Sequence, residues 1–186
     1  MSLLNQFRLF AAYNRLMNQR LYEAASQLSA EELKEDRGAF FKSVIGTLNH
    51  ILVGDILWLK RFSQQPSSAR ALSYLAGLEK PTALDAILFD DLETLREERA
   101  KIDDIIMQWI NALSENDMKD CVAYKNMAGI DFNKPFISLI SHLFLHQVHH
   151  RGQVTTLLSQ CGLDFGDTDL IEIIDECQEP SPTFGP

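Results

Sequence analysis

A chain of 186 residues with 46% hydrophobic and 23% charged residues has the composition of a folded globular protein, not of a disordered segment. Its 17 Lys and Arg against 26 Asp and Glu give a formal charge of −9, which opposes binding to nucleic acid or an anionic membrane, and no local basic patch stands out. The longest apolar stretch, Val44 to Leu59, is interrupted by Asn49, His50 and Asp55 and is too short and polar to span a membrane; the opening residues lack a secretion-signal pattern, so the expected location is cytoplasmic.

In chain order, Leu3, Phe7, Phe10, Ala11, Asn14, Met17, Leu21, Ala24, Ala25 and Leu28 recur at threes and fours, which predicts a first helix over Ser2 to Gln27 with one polar interruption at Asn14. Ser29-Ala-Glu-Glu32 has the capping-box pattern of a short helical turn, and Asp36-Arg37-Gly38 breaks it. A second long helix follows from Ser43 to Phe62, apolar around most of its circumference and therefore expected to be central. Residues 63–81 read as a connector. Thr82-x-x-Asp85 after Pro81 predicts a third helix that continues to Leu113.

Cys121–Tyr124 and Ile130–Phe132 flank Met127-Ala-Gly129, the pattern of a small β-hairpin. Pro135 then opens a fourth helix that Gly162 closes, and a short helix is expected from Asp169 to Cys177. Residues 1–177 read as one domain and 178–186 as a flexible tail. The expected class is all-α, with four long helices packed as a bundle. The 63–81 connector is long enough to let the second and third helices run parallel. Cys121, Cys161 and Cys177 are widely spaced without a Cys-x-x-Cys pair and read as reduced thiols.

The five histidines fall in two places: His50 on the second helix, and His142, His146, His149 and His150 on the fourth. At about 100° per residue, with His142 at zero, the apolar residues of the fourth helix fill an arc from about 60° to 160°. His150 falls inside that arc, His146 on its border, and His142 and His149 outside it. His146 and His150, four apart, therefore point inward one above the other, a spacing that lets both reach one metal ion. His50, with Gly46 and Gly54 one turn to either side, is the available third ligand. Three neutral His with an open fourth position is the ligand set of a catalytic zinc site, whereas two hydrogen-bonded core imidazoles is the alternative. No Glu-x-x-His or His-Glu-x-x-His occurs.

Arg151 projects away from the ligands and is expected in a surface or inter-helix ion pair; Gln153 lies beside the His edge and is a candidate to orient a ligand. Trp58, Trp109 and the Phe residues read as core, and the acidic stretch Asp85 to Asp104 as a solvated face.

The run His142-Leu-Phe-Leu-His146-Gln-Val-His-His150-Arg-Gly-Gln-Val154, together with Gly46-Thr-Leu-Asn-His50-Ile-Leu-Val-Gly-Asp55 and Asp36-Arg-Gly-Ala-Phe-Phe41, closely resembles the DinB family. The resemblance extends from Phe7 to about Ile174. It implies a four-helix bundle in up-down-down-up order, commonly a homodimer, with one divalent metal per chain held by His50, His146 and His150. Some relatives are metal-dependent thiol transferases or isomerases that use a low-molecular-weight thiol; the added C-terminal domain of one branch is missing here, which disfavours the isomerase route. Zinc is the favoured ion, with nickel or iron as alternatives. Three functions stay open: a transferase that activates a small thiol at the metal, a metal-assisted hydrolase, and a non-catalytic metal-binding stress-response or interaction module. The hydrolase ranks lower because Asp55, five residues from His50, faces elsewhere and no other carboxylate lies beside the cluster.

Overall fold

The computed structural model describes residues 2–174. Among them the chain is mostly helical, with six α-helices and one small antiparallel hairpin: α1 (Leu3–Ala25), α2 (Ala30–Lys34), α3 (Val44–Phe62), α4 (Pro66–Ala69), α5 (Leu92–Ala112), β1 (Cys121–Lys125), β2 (Asp131–Pro135) and α6 (Phe136–Gln160). No helix among the described residues is long and apolar enough to cross a membrane.

Local chemistry sets most of the ends. Ser2 caps α1 through the Asn5 amide, Ser43 caps α3 through the Gly46 amide, and the Ser29–Glu32 capping box starts α2. At the end of α6, Gly162 takes a positive φ of 75° and the Leu163 amide donates back to the Leu158 carbonyl, the glycine-terminated C-cap that the sequence signals. The hairpin pairs Cys121 with Pro135 through Lys125 with Asp131.

Helix α1 packs against α5 and α6, and α3 against α6. α3 buries most of its circumference, as its composition predicts. Phe62, Trp109 and Phe136 stack at one end of the core, while Phe7 and Phe144 meet across α1 and α6.

Several expectations are corrected. The third long helix begins at Leu92, with Asp91 as its cap, not at Thr82. The local start signal at Thr82 loses to a tertiary one: the buried Asn49 amide accepts from the Leu88 and Phe89 amides and donates to the Phe89 carbonyl, holding that segment non-helical against α3. The 63–81 connector contains α4 and a 3-10 turn at Ser73–Gly77. The stretch Asp85 to Asp104 is not wholly solvated, because Glu98, Arg99 and Asp103 are buried. Phe40 is no core residue but 86% exposed, and Trp58 is half-buried. The C-terminal element is a 3-10 turn at Leu170–Ile173, with Asp169 and Ile174 extended on either side; residues 175–177 of the expected helix and the 178–186 tail lie outside the described residues.

Candidate metal centre

Two glycines on α3 prepare the surroundings of His50. A Cβ on Gly46 would stand 2.2 Å from the Phe41 carbonyl oxygen, and one on Gly54 would stand 2.6 Å from His146 Cε1. Gly46 thus admits the 36–43 loop and Gly54 admits the His146 ring. Glycine inside a helix costs about 0.5–1 kcal/mol relative to alanine, so both positions favour contact across the helix over helix propensity. The loop closes through a Lys42 amide to Ala39 carbonyl bond of 2.8 Å and places Lys42 at a positive φ of 66°. It lays the Phe41 ring flat on His50, with centroids 3.7 Å apart, and edge-on to His150 at 5.5 Å.

The structure brings His50, His146 and His150 together. His50 Nε2 lies 3.2 Å from His146 Nε2 and 3.1 Å from His150 Nε2, and the candidate ligand atoms all fall within 4.8 Å of one another. His50 Nδ1 is 2.7 Å from the Leu84 carbonyl oxygen. A carbonyl only accepts, so Nδ1 carries the hydrogen and Nε2 presents a lone pair. His150 Nδ1 lies 2.9 Å from Gln153 Oε1, which orients that ring in the same way. Gln153 Nε2 in turn lies 3.3 Å from His149 Nε2. The Nδ1 of His146 is buried without a hydrogen-bond partner among the described residues.

These groups fit a metal. The Nε2 lone pairs of His50 and His150 face each other with no proton assigned between them, an arrangement that a shared cation resolves. Nitrogens at about 2.0–2.1 Å from a tetrahedral ion lie about 3.3–3.4 Å apart, close to the spacings found here. The rings are also in the right protonation state. Burial, reinforced by the neighbouring imidazoles, pushes His146 down to about 3, and burial lowers His50 and His150 against the opposing pull of the Leu84 carbonyl and Gln153 respectively. Desolvation disfavours the imidazolium and leaves the neutral ligand form.

His142 and His149 are exposed and outside the cluster; the His142 ring packs against Trp58 at 5.0 Å. Asp55 does face elsewhere. It is fully buried, ion-paired with Arg99, and accepts from Gln147 Nε2 at 2.6 Å. No carboxylate joins the His cluster among the described residues. Arg151 departs from expectation, since it is neither on the surface nor ion-paired among the described residues. It is 5% exposed and donates from Nη1 to Asn14 Oδ1 and Gln147 Oε1. The buried arc of α6 is accordingly wider than the apolar residues alone suggest, extending to Phe144, Gln147 and Arg151.

Three contributors carried no readable signal: the Leu84 carbonyl, a backbone group; Phe41, whose ring reaches His50 through a loop; and Gln147, whose polar side chain gives no hint of burial.

A helical chain that gathers three imidazoles from its second and fourth long helices, α3 and α6, around one point has a candidate metal centre, and comparison with known proteins supplies the family. The sequence model of the DinB family matches residues 1–179, and the chain belongs to that family. It is similar to Protein DinB of Bacillus subtilis (strain 168), at 23% identity over 163 residues, spanning 88% of this chain and 90% of that protein. No solved structure matched.

Proposed function

We propose that this DinB-family chain binds one divalent transition metal through His50, His146 and His150, with zinc favoured and nickel or iron as alternatives, and uses it to activate a low-molecular-weight thiol for transfer. The observation that carries this reading is the Leu84 carbonyl bond, which fixes the His50 tautomer and turns its Nε2 lone pair toward the two α6 imidazoles. An ion held there supplies Lewis acidity at a coordination position left open by the protein, lowering the pKa of a bound thiol or water.

The chain's own residues do the rest. Burial keeps the three rings neutral; Gln153 orients His150; and the Phe41 ring shields His50 from water. Thiol activation is favoured over hydrolysis by the absence of a carboxylate from the cluster among the described residues. A bound thiol ionises without a partner, whereas attack by water calls for a general base. A non-catalytic reading, with the ion joining α3 to α6 in a stress-response or interaction module, is favoured by the burial of His50 beneath Phe41.

The same proposal takes α1, α3, α5 and α6 as a four-helix bundle in up-down-down-up order, residues 1–177 as one domain, and the protein as a cytoplasmic homodimer. Elemental analysis of protein made without a His tag tests the metal: one transition metal per chain is expected, and His146→Ala should remove it. Unchanged metal content in His146→Ala discards the site. A turnover screen with and without small thiols then separates transferase from hydrolase, and silence in both favours the non-catalytic module.

A further inference from the structure

The two buried arginines of the core have different surroundings. Arg99 reaches two carboxylates, those of Asp55 and Asp103. Arg151 is ion-paired with none among the described residues; the neutral side chains of Asn14 and Gln147 stand between it and those same two carboxylates. Among the described residues its hydrogen bonds to Asn14 and Gln147 both run from Nη1, and the guanidinium carbon stands 5.3 Å from the centre of the Tyr13 ring, which borders the groove. An arginine buried this deeply and held by neutral groups, with no carboxylate paired to it among the described residues, can recognise a carboxylate, whose two oxygens match its planar fork.

Arg151 also lines a pair of adjoining cavities on the side of α6 away from the metal cluster. One, of about 290 Å³, runs between α1, α6 and the 168–170 segment, past Thr155 and Thr168. The other, of about 220 Å³, is walled by Phe10, Phe144 and Leu145. Tyr13, Val148, Arg151 and Leu170 border both. The roof is tied down: Tyr13 Oη donates to the Thr168 carbonyl at 2.6 Å, and Arg20 pairs with Glu172 at 2.7 Å. Together the cavities have the size of a small-ligand site, with an apolar end, the buried Arg151 cation at their junction, and the exposed Asp169 at the edge of the larger one.

We propose that this groove is a second ligand site, separate from the metal centre, that takes a small amphiphilic monocarboxylate. The carboxylate pairs with Arg151 and the hydrocarbon or aromatic portion lies against Phe10, Phe144 and Leu145. Charge complementarity selects the occupant: a cationic amphiphile would place a second positive charge beside Arg151, and a neutral one would leave the guanidinium without a counter-charge from the ligand.

The test is calorimetric titration of the full-length, chelator-treated protein with sodium octanoate, alongside 1-octanol and octylammonium. Octanoate should bind with 1:1 stoichiometry, octanol at least tenfold more weakly, and octylammonium not at all. Arg151→Gln should weaken octanoate at least tenfold and Arg151→Lys less so. Val148→Trp fills the groove without touching the Arg151 hydrogen bonds and should abolish binding while circular dichroism shows the fold intact. His146→Ala should leave octanoate affinity unchanged, so a failed metal proposal does not affect the result. Equal affinity for octanol and octanoate overturns the proposal, as does octanoate binding that survives Val148→Trp or disappears in His146→Ala. So does sedimentation showing that a second copy of the chain covers this face and excludes octanoate.

Discussion

The His146 ring occupies the notch left by Gly54, so that a methyl group on that glycine would come within 2.6 Å of Cε1 and 3.1 Å of Nδ1. One turn earlier on the same helix stands His50, 3.2 Å from His146 through the Nε2 atoms. The absent side chain at position 54 and the imidazole at position 50 are therefore two parts of one device, in which α3 offers a nitrogen and makes room for the ring that joins it.

Gly54→Ala should accordingly impair metal binding more than folding. Alanine improves helix propensity while pushing the His146 ring off its partners, so metal affinity is expected to fall at least tenfold with the denaturation midpoint of the metal-free protein shifted little. Competition against a chromophoric chelator measures the affinity, and an unchanged value contradicts the notch.

Gly46→Ala carries a different penalty. Its methyl group would meet backbone, the Phe41 carbonyl oxygen at 2.2 Å, which has no rotamer to adopt. Displacing the 36–43 loop should destabilise the protein by about 1–3 kcal/mol, the usual range for overpacking, and lift Phe41 from His50. Urea denaturation of the metal-free variant gives the first quantity.

The pH dependence of the metal-free protein follows from the His cluster. Folded His146 is held down to about 3 against an ordinary value of 6.5, so between those values the unfolded chain binds a proton that the folded chain does not. Stability therefore rises with pH across that window: the contribution is complete above 6.5 and is lost progressively as pH falls toward 3, with His50 and His150 acting in the same sense. Asp55, raised by burial to about 6, and Asp103, raised likewise, act oppositely and gain stability on acidification. The difference between wild type and His146→Gln isolates the histidine part. Denaturant midpoints at pH 7 and pH 5 should fall less in the variant, and equal falls contradict the assignment.

Asp55→Ala should be among the most damaging substitutions in the core. It leaves Arg99 buried without its α3 carboxylate and Gln147 without its acceptor, and breaking such a pair from one side costs about 3–5 kcal/mol. Asp55→Asn keeps an acceptor and should cost less. Thermal denaturation of the two variants, compared with wild type, gives the ranking.

Much of the site was legible because two imidazoles at helical spacing on a half-apolar face either pack as a hydrogen-bonded core pair or share an ion, and His50 stands as a third on another helix. The four-residue step from His146 to His150 and the small residues around His50 carry the geometry in the sequence itself. What was not legible depends on contacts between segments distant in the chain. The start of α5 at Leu92 is decided by Asn49, about forty positions earlier, through bonds to the 88–89 backbone. The burial of Asp103 and Arg151 follows from one network with Asn14, Asn18 and Gln147, of which only Asn14 falls on an apolar stripe in the sequence. Periodicity sorts apolar from polar residues, and a polar group buried by pairing with another lies outside that sorting.

X-ray absorption spectroscopy of the zinc-loaded protein tests the central claim most directly, because it reports the atoms bound to the ion. The expected spectrum shows three imidazole nitrogens at about 2.0–2.1 Å, falling to two in His50→Ala. A first shell of carboxylate oxygens or sulfur without imidazole, or a wild-type spectrum unchanged in His50→Ala, would contradict it.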